Sequence, residues 1–153
     1  MASQRIGKYA CLETECRCLL KKIPDDLLET TNGWLIVDRY FPNTRLRLRH
    51  MRSISGKENI YKLTQKYRAD TQNAYETTIT NLYLTEEEYN HLASLEGKLI
   101  QKKRYSYSAQ NHTFSIDVFE GRHKGLILAE MEFATQAELD EFVLGLETTG
   151  ARR

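Results

Sequence analysis

The feature that most constrains the fold of this chain is a period-two alternation of charged and apolar residues, which recurs along its length. Glu13, Glu15 and Arg17 occupy every second position of the first such run, and the stretch from Arg45 to Arg49 alternates three arginines with two leucines. Successive side chains of a β-strand point to opposite faces, whereas helical spacing would scatter these residues around an axis. The alternation therefore predicts strands with one charged face and one apolar face.

Eight runs of this kind can be counted, and two helices and a short helical turn account for most of the remaining chain. The predicted strands cover 9–20, 34–41, 45–49, 59–68, 73–82, 98–108, 113–120 and 126–134. Capping boxes at 85–88 and 135–138 predict two helices, the first ending at Gly97, and 23–28 predicts a helical turn. Strands and helices do not alternate as in parallel βαβ units, which indicates an antiparallel sheet. We predict an α+β, mainly β fold: an eight-stranded antiparallel closed tunnel, or barrel, with a polar lumen and flanking helices.

The chain of 153 residues is expected to form a single domain, 1–153, with a flexible N-terminus (1–8) and a C-terminal tail (147–153). No apolar run approaches the ~20 residues of a membrane span, and the first residues lack the apolar core of a secretory signal. Three clustered cysteines, Cys11, Cys16 and Cys18, are a poor disulfide framework, and no finger-like spacing favours zinc. These features predict a cytoplasmic protein that does not act at a membrane, either monomer or homodimer.

The charged faces carry two acidic pairs and several groups of cations. Glu13-x-Glu15 and Glu130-x-Glu132 are oxygen-rich pairs of the kind that suits Mg²⁺ or Mn²⁺. Arginine and lysine are the side chains that surround phosphate oxygens. Such cations are Arg47, Arg49, Lys62, Lys66, Lys102 and Arg104. Together the two sets predict a site for a metal-bound polyphosphate.

A blander interpretation is that these are exposed faces of a one-sided sheet, with cross-strand pairs contributing ~0.2–1 kcal/mol each. The separation of signs favours a site instead, because 45–49 carries only positive charges and 126–134 only negative charges on that face. A nucleic-acid partner is disfavoured, since the acidic pairs would repel a phosphate backbone.

An ordered set of motifs resembles the CYTH superfamily, the triphosphate tunnel metalloenzymes. These include bacterial inorganic triphosphatases, thiamine triphosphatases and class IV adenylyl cyclases. The motifs are Glu13-x-Glu15-x-Arg17, Arg47-x-Arg49, Leu63-Thr64-Gln65-Lys66, Lys102-x-Arg104-Tyr105, Asp117-x-Phe119 and Ala129-Glu130-Met131-Glu132. The resemblance runs from about Tyr9 to Glu132 and implies an eight-stranded tunnel that binds metal through acidic residues and a triphosphate through basic ones.

Residue by residue, the resemblance implies metal ligation by Glu13, Glu15, Glu130 and Glu132, with Asp117 close by. It implies phosphate binding by Arg47, Arg49, Lys66, Lys102 and Arg104, catalytic positions at Arg17 and Lys66, and a further acidic position at Glu76. The family usually has lysine where this chain has Arg17. Arginine stays charged and cannot act as a general base, so Arg17 is expected to weaken hydrolysis while preserving phosphate binding.

Three functions remain open at this point. The first is hydrolysis of inorganic tripolyphosphate or an organic triphosphate with Mg²⁺ or Mn²⁺. The second is a class IV adenylyl cyclase reaction, for which no adenine pocket can be identified in the sequence. The third is a non-catalytic protein that binds inorganic polyphosphate or another triphosphate-containing small molecule.

Overall fold

The computed structural model describes residues 7–29, 32–69, 72–109 and 111–148, and within them the chain forms eight strands and two α-helices. The strands are β1 (Cys11–Leu19), β2 (Trp34–Tyr40), β3 (Leu46–Ser53), β4 (Asn59–Tyr67), β5 (Glu76–Leu84), β6 (Lys98–Ala109), β7 (His112–Glu120) and β8 (Ile127–Phe133). The helices are α1 (Glu86–Ala93) and α2 (Gln136–Thr148), and short 3-10 helices cover Asp25–Glu29 and Gly121–His123.

The strands close into one antiparallel barrel in the order β1-β5-β4-β3-β2-β6-β7-β8, with β8 returning to β1. Three chain-consecutive strand pairs form a meander from β2 to β5, and two more form a second meander from β6 to β8. Strand β1 lies between β5 and β8 and joins the two meanders. The predicted mainly β fold with a closed antiparallel barrel is therefore confirmed.

The strand register decides which side chains share the lumen. Residues directly opposite each other on neighbouring strands lie on the same face. Glu15 lies opposite Glu132, and Arg17 lies opposite Glu130. The charged faces predicted from the alternation therefore meet inside the barrel.

Glu76 is an exception: its predicted role in the site requires it to face the lumen, but it lies on the outer face. Glu13 lies opposite Thr77, so Thr77 shares the lumen face and the neighbouring Glu76 lies on the outer face. The alternation could not identify the inner face of β5, because polar residues occupy both faces from Glu76 to Thr78.

Apolar side chains pack against the outside of the barrel wall. Ile116, Ile127 and Ala129 of β7 and β8 form a buried cluster with Leu27 from the first 3-10 helix. On α2, Leu139 is fully buried, and the ring of Phe142 lies 5.3 Å from that of Phe133. This apolar cluster thus lies between the wall and its flanking segments, whereas the lumen is lined mainly by charged and polar side chains.

Both ends of α1 can be read from side-chain contacts. Thr85 and Glu88 form the predicted capping box, in which each side chain bonds the backbone N–H of the other residue. The helix ends at Ala93 with Ser94 as its C-cap, so the prediction that it ends at Gly97 is wrong. Glycine is needed there for a different reason, since a Cβ at Gly97 would clash with Arg39 Cγ and lie 3.0 Å from the Tyr40 carbonyl oxygen.

Helix α2 extends to Thr148 and so enters the segment 147–153, whose first two residues are helical rather than a tail. The rest of that tail lies outside the described residues, as do residues 1–6 of the predicted flexible N-terminus. None of the described helices combines the length and the apolar character needed to cross a membrane.

Candidate functional site

Three glutamates from adjacent strands form a cluster on one wall of the lumen. Glu13 and Glu15 come from β1 and Glu132 from β8, and one carboxylate oxygen of each lies within 4.8 Å of the others. Glu15 is buried, with 7% of its surface exposed. We call Glu13, Glu15 and Glu132 the acidic cluster; it brings together three of the five residues predicted to bind metal.

The chemistry of the acidic cluster fits a hard divalent cation. Its donors are carboxylate oxygens, the ligands preferred by Mg²⁺ and Mn²⁺. Glu13 Oε2 is buried and has no hydrogen-bond partner in the described part of the chain, although Lys66 Nζ lies 3.3 Å away. The oxygens are thus brought together without enough donors to satisfy them.

The pKa values of the acidic cluster reflect this crowding. A hydrogen bond with Glu13 raises the pKa of Glu132 to about 7, assisted by burial and by the charges of Glu13 and Glu15. Burial alone would raise the pKa of Glu13, but the hydrogen bond from Glu132 and the charge of Lys66 lower it overall. A proton on Glu132 therefore partly neutralises the acidic cluster.

Lys66 and Arg17, the two predicted catalytic residues, both lie against the acidic cluster. Lys66 Nζ is 3.3 Å from Glu13 Oε2 and 3.3 Å from Glu15 Oε1. Arg17 Nη2 donates to Glu15 Oε1 at 2.7 Å, and Arg17 Nε lies 3.4 Å from Glu130 Oε1. Burial would lower the pKa of Arg17, but the charges of Glu130 and Glu15 raise it overall.

Asp117 and Glu130, the other two predicted metal ligands, lie outside the acidic cluster. Asp117 is fully buried; it accepts two hydrogen bonds from Arg104, at 2.7 and 2.8 Å, and lies 2.8 Å from Lys102 Nζ. Glu130 lies between Arg17 and Arg104, whose Nη2 is 3.7 Å away. Metal binding by Asp117 would break these contacts, because β7 places it directly opposite Arg104.

Asp38 is a lumen residue that the sequence analysis missed. It is fully buried on β2 and accepts hydrogen bonds from Arg49 Nε at 2.6 Å and Arg49 Nη2 at 2.7 Å. Burial would raise the pKa of Asp38, but Arg49 lowers it overall. The alternation of its strand could have identified Asp38 as an acidic residue on the same face as Ile36 and Tyr40. Its pairing with Arg49 becomes clear only when the register of the hairpin is known.

Arg47 and Lys62 are the least compensated cations of the lumen. Arg47 Nε lies 3.9 Å from Asp38 Oδ1 and is buried with no hydrogen-bond partner among the described residues. Lys62 lies opposite Arg49, and no ion pair joins it to a described carboxylate. Burial, followed by the charges of Arg49, Arg47 and Arg104, lowers the pKa of Lys62 to about 8. Burial and the charge of Arg49 also lower the pKa of Arg47.

The acidic cluster and these cations line two connected cavities. The lumen cavity has a volume of about 530 Å³, and its walls include Glu13, Glu132, Arg47 and Lys62. The mouth cavity, about 610 Å³, lies at the β2–β3 and β4–β5 connections. Both are lined by Arg17, Tyr40, Arg47 and Lys66. All six predicted phosphate-binding residues line the lumen cavity, where Asp38 holds the guanidinium of Arg49.

Comparison with known proteins supports the fold. Similar solved structures include one described as the hypothetical protein NE1496 and one described as the inorganic triphosphatase NE1496. The first has a TM-score of 0.52 and 22% identity over 84% of this chain and 81% of that chain. The second has a TM-score of 0.51 and 22% identity over 84% of this chain and 78% of that chain. No family model and no curated protein matches the sequence. The tunnel fold implied by the resemblance is thus confirmed.

Proposed function

We propose that the barrel binds a triphosphate in its lumen and hydrolyses a phosphoanhydride bond with the help of Mg²⁺ or Mn²⁺. One observation carries the proposal: Glu13 and Glu132 of the acidic cluster and the least compensated cations, Arg47 and Lys62, line the same cavity of about 530 Å³. A metal-bound polyphosphate would supply a cation for the carboxylates and an anion for the basic side chains. The similar structure described as an inorganic triphosphatase adds support from fold alone.

Arg47 and Lys62 would hold the phosphates. An anion beside them would offset the burial and the neighbouring positive charges that lower the pKa values of both groups. Arginine offers a planar fork to phosphate oxygens and lysine a compact charge. Arg49 and Arg104 are oriented by Asp38 and Asp117, so they add positive potential without being free to move toward a ligand.

The acidic cluster would hold the cation. A bound divalent ion supplies charge neutralisation at the phosphate oxygens and polarises the bond to be broken. Glu132 must lose its proton before all three carboxylates of the acidic cluster are charged and can bind such an ion. Lys66, between Glu13 and Glu15, keeps two of the carboxylates oriented toward each other.

The test measures phosphate release from inorganic tripolyphosphate, thiamine triphosphate and nucleoside triphosphates with Mg²⁺ or Mn²⁺. Glu132→Gln preserves the shape of the acidic cluster but removes a charge, and we expect it to reduce turnover at least tenfold. Glu120→Gln is the control, because Glu120 pairs with Lys103 at 3.4 Å on the surface. Absence of phosphate release under every condition, with the wild-type protein folded, would reject hydrolysis.

Binding without turnover is the second candidate, favoured by the contact of Arg17 with Glu15. This 2.7 Å hydrogen bond occupies an oxygen of the acidic cluster, and a guanidinium cannot accept a proton from water. In that case tripolyphosphate would raise the melting temperature, because it binds only the native state, and no product would form.

A further inference from the structure

The mouth cavity has a large excess of positive charge. Among the described residues, its lining contains five cations and one carboxylate, Glu15: the cations are Arg17, Arg45, Arg47, Lys66 and Arg68. Arg17 and Lys66 both contact Glu15, so their charges are partly compensated. The excess positive charge of the mouth cavity therefore lies on Arg45, Arg47 and Arg68.

Arg45 and Arg68 have no role in the lumen site. Both are exposed, and neither forms an ion pair with any described residue. They lie on the β2–β3 and β4–β5 connections, so they face the mouth cavity from two different chain segments. An anion in the mouth cavity would meet both.

Arg45 is held in place. Its guanidinium carbon lies 4.2 Å from the ring centroid of Tyr67, at a distance typical of a cation–π contact. The preceding residue braces the turn, since Thr44 Oγ1 donates to the Phe41 carbonyl at 2.9 Å and accepts from the Leu46 N–H at 3.1 Å. A pre-positioned guanidinium loses less freedom when it binds an anion.

Two of the three tyrosines that line the mouth cavity interact with arginines. The ring of Tyr67 packs on Arg45, and Tyr40 interacts with Arg47. This use of the rings favours a purely anionic ligand in the mouth cavity over an organic ring stacked between tyrosines. The mouth and lumen cavities share Arg47, so one extended anion can occupy both.

We propose that the mouth cavity binds the phosphates beyond the third of a linear inorganic polyphosphate, through Arg45 and Arg68. The inference rests on the proposed function, because the first three phosphates are placed in the lumen. It assigns the protein a preference for chains longer than tripolyphosphate.

The test compares the affinities of tripolyphosphate and a medium-length linear polyphosphate by calorimetry in metal-free buffer. The variant is Arg45→Gln combined with Arg68→Gln. Two exposed charge–phosphate contacts are lost, so we expect about tenfold weaker binding of the long chain and less than about twofold for tripolyphosphate. A long polymer offers many overlapping binding positions, which raises its apparent affinity. This statistical factor is the same for the variant and the wild type, so it does not change the ratio of their affinities.

Arg52→Gln is the matched control. Arg52 is an exposed arginine at the other end of β3, on the outer face, and it lines neither cavity. It should leave both affinities unchanged. Melting temperatures confirm that all variants are folded.

The outcomes separate the two proposals. An equal loss for both ligands, or no loss, overturns the mouth subsite. So does a nucleoside triphosphate whose affinity depends on Arg45 and Arg68 more than that of the long chain, which would assign the mouth to an organic group. If the folded wild-type protein binds tripolyphosphate without preferring the long chain, only the mouth subsite fails; if it binds neither, the proposed function fails as well.

Discussion

Replacing Asp38 with asparagine removes the carboxylate that, within the described part of the chain, is hydrogen-bonded to Arg49. Arg49 has 4% of its surface exposed, and both of its hydrogen bonds to Asp38, at 2.6 and 2.7 Å, are made deep in the barrel wall. Asparagine preserves the volume and one acceptor oxygen but leaves the guanidinium buried without a counter-charge. Breaking such a pair from one side costs about 3–5 kcal/mol.

Urea unfolding of the wild type and Asp38→Asn measures this loss as a change in the free energy of unfolding. The same substitution makes the lumen more positive, next to Arg47 and Lys62. We therefore expect Asp38→Asn to bind tripolyphosphate more tightly than the wild type, although it is less stable. Purely structural damage would weaken both properties.

Glu120→Gln is the control for the loss of a carboxylate. Lys103 and Glu120 lie 3.4 Å apart with 41% and 43% of their side chains exposed. An exposed pair of this kind contributes about 0–1 kcal/mol. If Asp38→Asn loses no more than this control, or if its tripolyphosphate binding weakens while the fold persists, the reasoning about Asp38 is refuted.

Three further predictions concern single residues. Arg17→Lys should increase tripolyphosphate turnover, because a desolvated lysine can lose its proton; unchanged or lost turnover would contradict the role given to Arg17. Lys62, with a pKa of about 8, is protonated below that pH, so phosphate affinity should fall as the pH rises above it. Calorimetry at pH ~8 in buffers of different ionisation enthalpy should detect proton uptake that Lys62→Met abolishes. Thr85→Ala removes the α1 capping box and should cost about 1 kcal/mol in urea unfolding; an unchanged stability would show that the cap is not needed.

Much of the fold could be predicted because strand alternation is a local property. The three arginines from Arg45 to Arg49 alternate strictly, and the capping box at Thr85 marks the change from strand to helix. Where both faces of a strand are polar, as at Glu76, alternation does not show which face points into the lumen. The fold could then be right while one side chain was placed on the wrong face.

The partners of the site residues could not be predicted, because they depend on register between strands. Asp38 is the acidic residue of a mostly aromatic and aliphatic run, and only pairing of β2 with β3 brings it opposite Arg49. Asp117 looked like part of a metal site, but its cross-strand neighbour is Arg104. The sequence shows which charges face inward, whereas the barrel decides which opposite charges neutralise each other.

The position of β1 between β5 and β8 has a consequence for how the protein folds. The β2–β5 meander can form from neighbours in the chain, but the acidic cluster needs the first strand to pair with the last. Bringing β1 and β8 together closes a long loop, and the chain loses entropy before the contacts between these strands can stabilise it. Topologies rich in such distant pairings fold slowly. During synthesis β1 can pair with β5 early, but its pairing with β8 must wait until the last strand has been made, so cation binding would report the moment at which the ring of strands is complete.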